Sequence, residues 1–320
     1  MLVLALPGQL PMAQRLARSL RCECSEIAQH RFPDGETLVR IDVPVKDRCV
    51  ILAGSLNQPD DKTPALLFAA DAARELGATR VGLVAPYLAY MRQDQRFKPG
   101  EAITSRSYAR LLGGSLDFLV TVDPHLHRWH RLDQIYPMPA AVVSSAPAIA
   151  RWVRAHIKSP LIVGPDSESR QWVDEVAGLC GAPSTVLRKT RRGDYDVRVR
   201  LLDKGPWRGL TPVLLDDIVS TGRTLQAAAR ALLRAGLGAP VCVVVHPLFA
   251  ADALAGLHEA GIARVVSCDS IAHASNAIAL APALARAVRA LSRQAAQAVP
   301  AEKSARNLRT KGPAPPPAAA

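Results

Sequence analysis

The residues best suited to chemistry lie in the segment 212–224, Pro-Val-Leu-Leu-Asp-Asp-Ile-Val-Ser-Thr-Gly-Arg-Thr. Its apolar run predicts a buried strand over residues 213–215, and residues 225–235 predict a helix. Two carboxylates and a turn of small residues lie between them: Asp216, Asp217, Ser220, Thr221, Gly222 and Thr224. Free N–H groups at a helix start bind anions, glycine allows close backbone approach, and carboxylates accept hydrogen bonds from vicinal hydroxyls. The segment therefore predicts a sugar-phosphate site.

Residues 216–224 resemble the phosphoribosyl-diphosphate loop shared by type I phosphoribosyltransferases and ribose-phosphate diphosphokinases. Other motifs resemble those of the diphosphokinases, in that family's order: Arg31-Phe-Pro-Asp-Gly-Glu36, Tyr87-Leu-Ala-Tyr-Met-Arg-Gln-Asp94, Gly100-Glu101, Thr121-Val-Asp-Pro-His125, Gly164-Pro-Asp166 and Lys189-Thr-Arg191. A transferase explains none of these additional motifs. The resemblance spans roughly residues 1–292 and leaves only the C-terminal tail outside it.

The resemblance implies transfer of the diphosphoryl group of MgATP to the anomeric hydroxyl of ribose 5-phosphate, with AMP and 5-phosphoribosyl 1-diphosphate as products. It assigns the 5-phosphate to Ser220, Thr221, Gly222 and Thr224. It assigns the ribose hydroxyls, or a metal bound to them, to Asp216 and Asp217. No general base is obvious, which phosphoryl transfer tolerates because it depends on positioning and charge neutralisation.

Metal and transfer residues are implied in the same way. His125 and Asp166 match the family's contacts to Mg²⁺, made directly or through water, and Mg²⁺ is the implied cofactor. Lys189 and Arg191 match the family's catalytic pair, and an ammonium with a guanidinium suits charge on phosphoryl oxygens. The charged segment 188–200 predicts a mobile loop that closes over a substrate, with a solvated basic loop as the alternative.

The residues Phe32, Asp34 and Glu36 lie in a turn containing proline and glycine, which alone predicts a hairpin. By resemblance they hold the adenine end of ATP bound to a neighbouring subunit, while Arg92 and Gln93 bind the nucleotide in the main site. The implied ligands are ATP and ribose 5-phosphate. The implied assembly is a homo-oligomer with a shared ATP site.

Short apolar runs alternate with helical segments, which predicts an α/β fold with mostly parallel sheets. We predict strands over residues 2–6, 50–53, 81–85, 118–122, 161–163, 185–187, 213–215 and 241–245. We predict helices over residues 65–76, 105–112, 172–179, 225–235 and 277–291. With the resemblance, this order predicts two tandem type I phosphoribosyltransferase-like domains, residues 1–146 and 147–294. Residues 295–320 are predicted to be a disordered tail.

The formal net charge of +12 raises the question of a nucleic-acid partner. Part of this charge lies in the tail, and many other basic residues cluster at 92–98 and 188–200, which the resemblance assigns to polyphosphate. Aromatic residues make up only 4% of the chain, which leaves few platforms for base stacking. We therefore expect a small anionic substrate and no specific nucleic acid.

The apolar opening of the chain is too short to span a bilayer and lacks a basic leader, so we expect no membrane association and a cytoplasmic protein. Six cysteines in 320 residues predict reduced thiols. Cys22 and Cys24 lack a second cluster and predict incidental thiols. A zinc site at His125, His127 and His130 is disfavoured because no remote ligand cluster accompanies them.

The chain departs from the family pattern at Glu168 and Ser169, where small residues are common, and at Arg223 in the phosphate loop. These changes lie beside the expected path of the sugar phosphate. They keep open a diphosphokinase for a different pentose phosphate. A non-catalytic regulatory homologue and a nucleobase phosphoribosyltransferase also stay open, and the motifs around His125, Asp166 and Lys189 speak against both.

Overall fold

The computed structural model describes residues 1–126, 128–192, 196–201 and 205–297. The side chains of residues 189–192, 196–201 and 294–297 lie outside the described part of the structure.

The N-terminal half is built on a parallel sheet flanked by helices. Its strands are β1 (Leu2–Ala5), β2 (Glu23–Glu26), β3 (Ala28–Arg31), β4 (Thr37–Arg40), β5 (Cys49–Ala53), β6 (Arg80–Ala85), β7 (Phe118–Val122) and β8 (Ala140–Val143). Six of them form a sheet in the order β2-β1-β5-β6-β7-β8, in which every pair is parallel. The strands β3 and β4 form a separate antiparallel hairpin. The helices are α1 (Leu10–Leu20), α2 (Pro59–Glu75) and α3 (Thr104–Ser115).

The C-terminal half repeats this plan. Its strands are β9 (Pro160–Gly164), β10 (Ser184–Arg192), β11 (Asp196–Leu201), β12 (Thr211–Val219), β13 (Val241–Pro247), β14 (Arg264–Cys268) and β15 (Asn276–Ile278). They form one sheet in the order β11-β10-β9-β12-β13-β14-β15, and only the β10–β11 pair is antiparallel. The helices are α4 (Ala146–His156), α5 (Arg170–Cys180), α6 (Arg223–Arg234), α7 (Ala253–Glu259) and α8 (Ala281–Gln297).

Continuous apolar runs form the central strands because both faces of a parallel sheet are covered. Every residue of β7 and of β13 is buried. One hydrophobic cluster contains strand residues of both sheets together with residues of α1, α4, α5 and α8. These four helices therefore join the two halves through one shared hydrophobic cluster, while each half also has a cluster of its own. The predicted α/β fold with mostly parallel sheets is confirmed.

Several predicted boundaries were wrong. The strand β12 continues through Asp216 and Asp217 to Val219, because it stays paired with β13 beyond its apolar run. The helix α6 begins at Arg223, so Thr224 belongs to its first turn rather than to the loop. The charged segment 188–200 was predicted as a loop, but its described residues belong to the strands β10 and β11.

The two longest helices also differ from prediction. The helix α2 begins at Pro59, since proline is accepted in the first turn of a helix. The helix α8 begins at Ala281 and ends at Gln297, and the short strand β15 occupies the predicted helix start. Residues 298–320 lie outside the described residues, so the predicted disordered tail and the domain boundaries stay predictions.

All six cysteines are free thiols. Among the described residues, no helix is both long enough and apolar enough to cross a membrane.

Candidate active site

A cleft lies between the halves at the carboxyl ends of β7, β9 and β12. Its larger cavity has a volume of ≈ 480 Å³. The ionisable and hydroxyl-bearing side chains along its wall include Asp123, His125, Asp166, Glu168, Asp216, Asp217 and Thr224. Loops that follow parallel strands meet at one sheet edge, where ligands of α/β proteins bind. The structure therefore brings together the predicted metal residues and the predicted ribose-binding carboxylates.

Residues 216–224, named the ribose-phosphate loop for their predicted role, comprise the end of β12, a turn and the start of α6. They surround a second cavity of ≈ 220 Å³, which Arg92 and His125 also line. The hydroxyls of Ser220, Thr221 and Thr224 form no hydrogen bond with the described part of the chain. Because these donors lie at the start of α6, they and the helix dipole favour an anion in this cavity.

A single glycine shapes this loop. Gly222 caps α6 with φ of +69°, a left-handed conformation that costs other residues more than glycine. A Cβ at this position would lie 3.2 Å from Cδ2 of Leu257, on α7. Glycine therefore allows both the turn and the close packing of α7 beneath it.

The two adjacent carboxylates differ in their electrostatic surroundings. Burial, followed by the nearby charges of Asp217 and Asp166, raises the pKa of Asp216 well above its ordinary value. Burial also pushes the pKa of Asp217 upward, but the hydrogen bond and the charge of His125 outweigh it, so the pKa of Asp217 is lowered. Asp217 is therefore the carboxylate that stays ionised, and Asp216 is the one that retains a proton more readily.

His125 reaches this pair from the other half of the molecule. It lies on the His125 loop (residues 123–126), directly after β7, and its Nδ1 is 2.7 Å from Oδ2 of Asp217. Both side chains remain partly exposed, at 25% and 37%. The imidazole and the carboxylate therefore meet across the cleft while still facing the cavity.

Asp166 belongs to a tight turn after β9. Its Oδ1 accepts hydrogen bonds from the backbone N–H groups of Glu168 at 3.0 Å and Ser169 at 3.3 Å. The Ser169 hydroxyl donates to the carbonyl of Asp166 at 2.7 Å. A Cβ on Gly164 would lie 2.1 Å from the Ser169 Oγ, so the serine requires that glycine. Ser169 therefore shapes the turn, whereas Glu168 adds a carboxylate to the cavity wall.

The predicted ATP residues are placed in two separate regions. Arg92 lines the smaller cavity, whereas the backbone carbonyl of Gln93 accepts a hydrogen bond from Ser105 N–H at 3.3 Å. Phe32, Asp34 and Glu36 form the exposed turn between β3 and β4 and line neither cavity of the cleft. One chain alone does not bring this turn to the cleft.

Lys189 and Arg191 lie within β10, where they pair with Val199 and Val197 of β11. They were predicted to follow a strand, and β-branched neighbours explain why the pairing continues through them. Their side chains, and the whole of His127, lie outside the described residues.

The sequence analysis assigned no role to two residues of the cleft region. Asp123 begins the His125 loop, and its pKa is raised to about 6 by burial. His246 is buried on β13 and contacts that loop. The only sequence signal for His246 was its position directly after five apolar residues, 241–245.

Models of known protein families match both halves of the chain. The model of the N-terminal domain of ribose phosphate pyrophosphokinase matches residues 1–115, and the phosphoribosyl transferase domain model matches residues 131–282. A solved phosphoribosylpyrophosphate synthetase from Mycobacterium smegmatis shares the fold, with a TM-score of 0.79 and 24% identity. That match covers 92% of this chain and 99% of the other.

Curated relatives extend over nearly the whole chain. The ribose-phosphate pyrophosphokinase of Methanopyrus kandleri is 34% identical over 295 residues, which covers 91% of this chain and 100% of that protein. The ribose-phosphate pyrophosphokinase of Methanosarcina acetivorans is 32% identical and covers 89% and 98%, respectively. Pyrophosphokinase and diphosphokinase name the same type of transfer. This chain belongs to the ribose-phosphate pyrophosphokinase family.

Proposed function

We propose that this chain is an ATP-dependent ribose-phosphate diphosphokinase that forms 5-phosphoribosyl 1-diphosphate and AMP. The observation that carries the proposal is the cleft itself. A loop with hydroxyl donors, a carboxylate pair and the imidazole of the other half all face the same space. Such a site suits a sugar phosphate on one side and a metal-bound polyphosphate on the other.

Ribose 5-phosphate binds with its phosphate at the start of α6. The hydroxyls of Ser220, Thr221 and Thr224 and the nearby backbone donate to its oxygens, as the N-terminus of a helix favours. Arg223 and Arg92 line the same cavity and supply positive charge. Arg223 therefore adds a phosphate contact within this loop. Asp216 and Asp217 accept hydrogen bonds from the ribose hydroxyls.

The cleft offers the kinds of donor that Mg²⁺ takes, although no three His, Cys, Asp or Glu side chains of the described chain are grouped closely enough to hold a metal ion by themselves. Its wall offers carboxylate oxygens from Asp166, Asp216 and Asp217, which a hard cation prefers, and one imidazole from His125. His125 and Asp166 would hold the ion, directly or through water. When bound, Mg²⁺ neutralises charge on the phosphoryl oxygens of ATP.

The reaction forms a bond between the anomeric oxygen of ribose 5-phosphate and the β-phosphorus of ATP, and breaks the bond between that phosphorus and the oxygen of the α-phosphate. AMP leaves with that oxygen, and the proton of the anomeric hydroxyl passes to solvent. We assign Lys189 and Arg191 to the phosphoryl oxygens during the transfer, because β10 is adjacent to β9 and the Asp166 turn. Positioning and charge stabilisation suffice for this chemistry.

A second subunit completes the ATP site. The turn with Phe32, Asp34 and Glu36 projects from the molecule, and the Phe32 side chain is 40% exposed. An exposed aromatic ring beside two carboxylates suits the adenine end of a nucleotide held in a neighbouring cleft. The assembly is accordingly a homo-oligomer, and the cytoplasmic location stays a prediction.

The proposal is tested by ³¹P NMR of the protein with ribose 5-phosphate, ATP and Mg²⁺, with Lys189→Ala as the matched variant. We expect AMP and a new sugar-linked diphosphate, both lost in the variant. Unchanged substrate peaks in a protein that binds ATP would contradict it, and a competition among pentose phosphates would then test another acceptor. Tight MgATP binding without AMP formation from any pentose phosphate would identify a regulatory homologue.

A further inference from the structure

His246 is a buried histidine that none of the steps above uses. It lies on β13 and is 1% exposed. It is in register with Ile218 of β12, the residue that follows Asp217. A polar side chain at this depth needs hydrogen-bond partners, because an unpaired buried donor or acceptor is costly.

The imidazole of His246 contacts both halves of the molecule. Its Nδ1 lies 3.0 Å from the Ser270 Oγ, in the segment after β14. Its Nε2 lies 3.4 Å from the carbonyl oxygen of Asp123, in the His125 loop. The ring also packs edge-on against Tyr87, with ring centroids 5.1 Å apart. His246 therefore joins the C-terminal sheet to the loop that carries His125.

The contact with Asp123 requires one tautomer of the imidazole. With the proton on Nε2, the ring donates to the Asp123 carbonyl, whereas the Ser270 Oγ beside Nδ1 donates its own proton to the Val245 carbonyl at 2.6 Å. With the proton on Nδ1, the lone pair of Nε2 would face the lone pairs of the Asp123 carbonyl oxygen. Burial lowers the pKa of His246 to about 4, so the ring is neutral. Only the Nε2–H tautomer lets the ring donate a hydrogen bond to the Asp123 carbonyl.

The backbone of Asp123 needs this support. Its φ of +33° is unusual for a residue with a side chain. Its N–H donates to the Val143 carbonyl at 3.2 Å, and its Oδ2 accepts from the Ser145 N–H at 2.9 Å. The His246 contact fixes the one remaining backbone group, the carbonyl, immediately before Pro124 and His125.

We propose that His246 is a positioning residue, which fixes the carbonyl of Asp123 and thereby sets where the His125 loop presents its imidazole to Asp217. The inference deepens the proposed function and rests on it for the activity and Mn²⁺ measurements, whereas the NMR measurements do not depend on it. It concerns the geometry of the cleft, because His246 itself lines neither cavity of the active site.

Two variants separate the roles of the ring nitrogens. In His246→Gln, the side-chain amide reaches the Nε2 position and still donates to Asp123. In His246→Asn, the shorter amide matches the Nδ1 position and loses that donor. We expect the Asn variant to lower kcat and Mn²⁺ affinity by about 10- to 100-fold, as loss of an outer hydrogen bond at a metal ligand typically does. The Gln variant should stay within about threefold of wild type for both.

The readouts distinguish positioning from simple loss of stability. A purely structural role would lower the melting temperature of both variants but leave Mn²⁺ affinity per folded molecule unchanged. Equal Mn²⁺ affinity in the folded Asn and Gln variants would overturn the proposal. If the Asn variant fails to fold, ¹⁵N NMR of the wild-type ring decides, because an Nδ1–H tautomer at His246 contradicts the assigned contact.

Failure of the proposed function would be recognised separately. A wild-type protein that forms no phosphoribosyl diphosphate refutes the activity, yet the ring resonances of His125 still report its position. They should shift in His246→Asn and stay in place in His246→Gln. Unchanged His125 resonances in both variants would refute the positioning role whatever the activity.

Discussion

In each half of the molecule, a buried parallel strand leads into a loop at the cleft: the His125 loop in one half and the ribose-phosphate loop in the other. The hydrogen-bonding groups of these two loops face in opposite directions. The His125 loop directs them inward, where Val143, Ser145 and His246 hold Asp123. The ribose-phosphate loop leaves its hydroxyls facing a cavity. A loop held from within presents one side chain in a fixed place, whereas a loop whose donors face a cavity is complementary to a ligand. The same architecture thus serves orientation in one half and binding in the other.

Breaking the contact between the loops should have the largest effect. Asp217→Asn keeps the shape of the side chain but removes the charge that faces His125 at 2.7 Å. We expect kcat to fall by about 100-fold, measured as the initial rate of AMP formation. Asp174→Asn is the matched control, because Asp174 is an exposed carboxylate that bonds only to Ser184 among the described residues. Equal rates in the two variants would show that the loops act independently.

A smaller loss should follow from stiffening the ribose-phosphate loop. Gly222→Ala places a Cβ against Leu257 and forces a left-handed alanine, which costs about 1–2 kcal/mol. We expect kcat/KM for ribose 5-phosphate to fall about tenfold while the KM for ATP changes little. Gly236→Ala carries a similar backbone penalty, with φ of +80° and open space around the new Cβ. It should lose stability alone, and the same kinetic loss in both variants would refute a binding role for this loop.

Arg223→Ala tests whether the ribose-phosphate loop binds an anion. Removing the guanidinium should raise the KM for ribose 5-phosphate about fivefold, since an exposed charge-assisted contact is worth about 1 kcal/mol. The turnover number should not change. Arg230→Ala, an exposed arginine on the same helix, removes the same charge outside the cavity. An unaltered KM in Arg223→Ala would mean that this side chain faces solvent.

The smallest expected effect is a loss of folding stability at low pH, caused by protonation of His246, which contacts the His125 loop. The folded pKa of His246, about 4, lies below the ordinary value of 6.5, so the unfolded chain binds more protons between these values. The resulting stability is present above about pH 6.5 and is lost as the pH falls toward 4. Urea unfolding at about pH 6.5 and 5.5 should show wild type losing about 1 kcal/mol more than His246→Gln. Parallel losses would indicate that the imidazole is already charged in the folded protein.

Elements with one dominant signal could be predicted from the sequence. The strand β7 was predicted at its observed bounds because an uninterrupted apolar run is typical of a buried parallel strand. The extension of β12 through Asp216 and Asp217 could not be predicted, because adjacent carboxylates indicate a strand end unless the pairing with β13 is known. The charged continuation of β10 beyond its predicted residues 185–187 and the whole of β11 were missed because charged residues in sequence indicate a loop.

The candidate site also has a part that the sequence could predict and a part that it could not. The residues of the ribose-phosphate loop are contiguous, so their composition alone could predict a site; they line one cavity, and their binding role stays a prediction. The contact of His125 with Asp217 joins residues 92 positions apart, and no local pattern encodes such a distance. His246 was missed because its role depends on a carbonyl 123 positions away.

The last helix has a consequence for how the chain is made. The helix α8 follows the whole C-terminal sheet in sequence, yet it packs against α1, β7 and β8 of the N-terminal half. During synthesis on the ribosome, the surface of β7 and β8 that α8 covers therefore stays exposed until almost the entire described chain has emerged. We expect nascent chains that end before Ala281 to bind hydrophobic dyes and chaperones strongly, and chains that include residues 281–297 to lose that binding. Compact, dye-resistant chains before Ala281 would show instead that the first half matures alone.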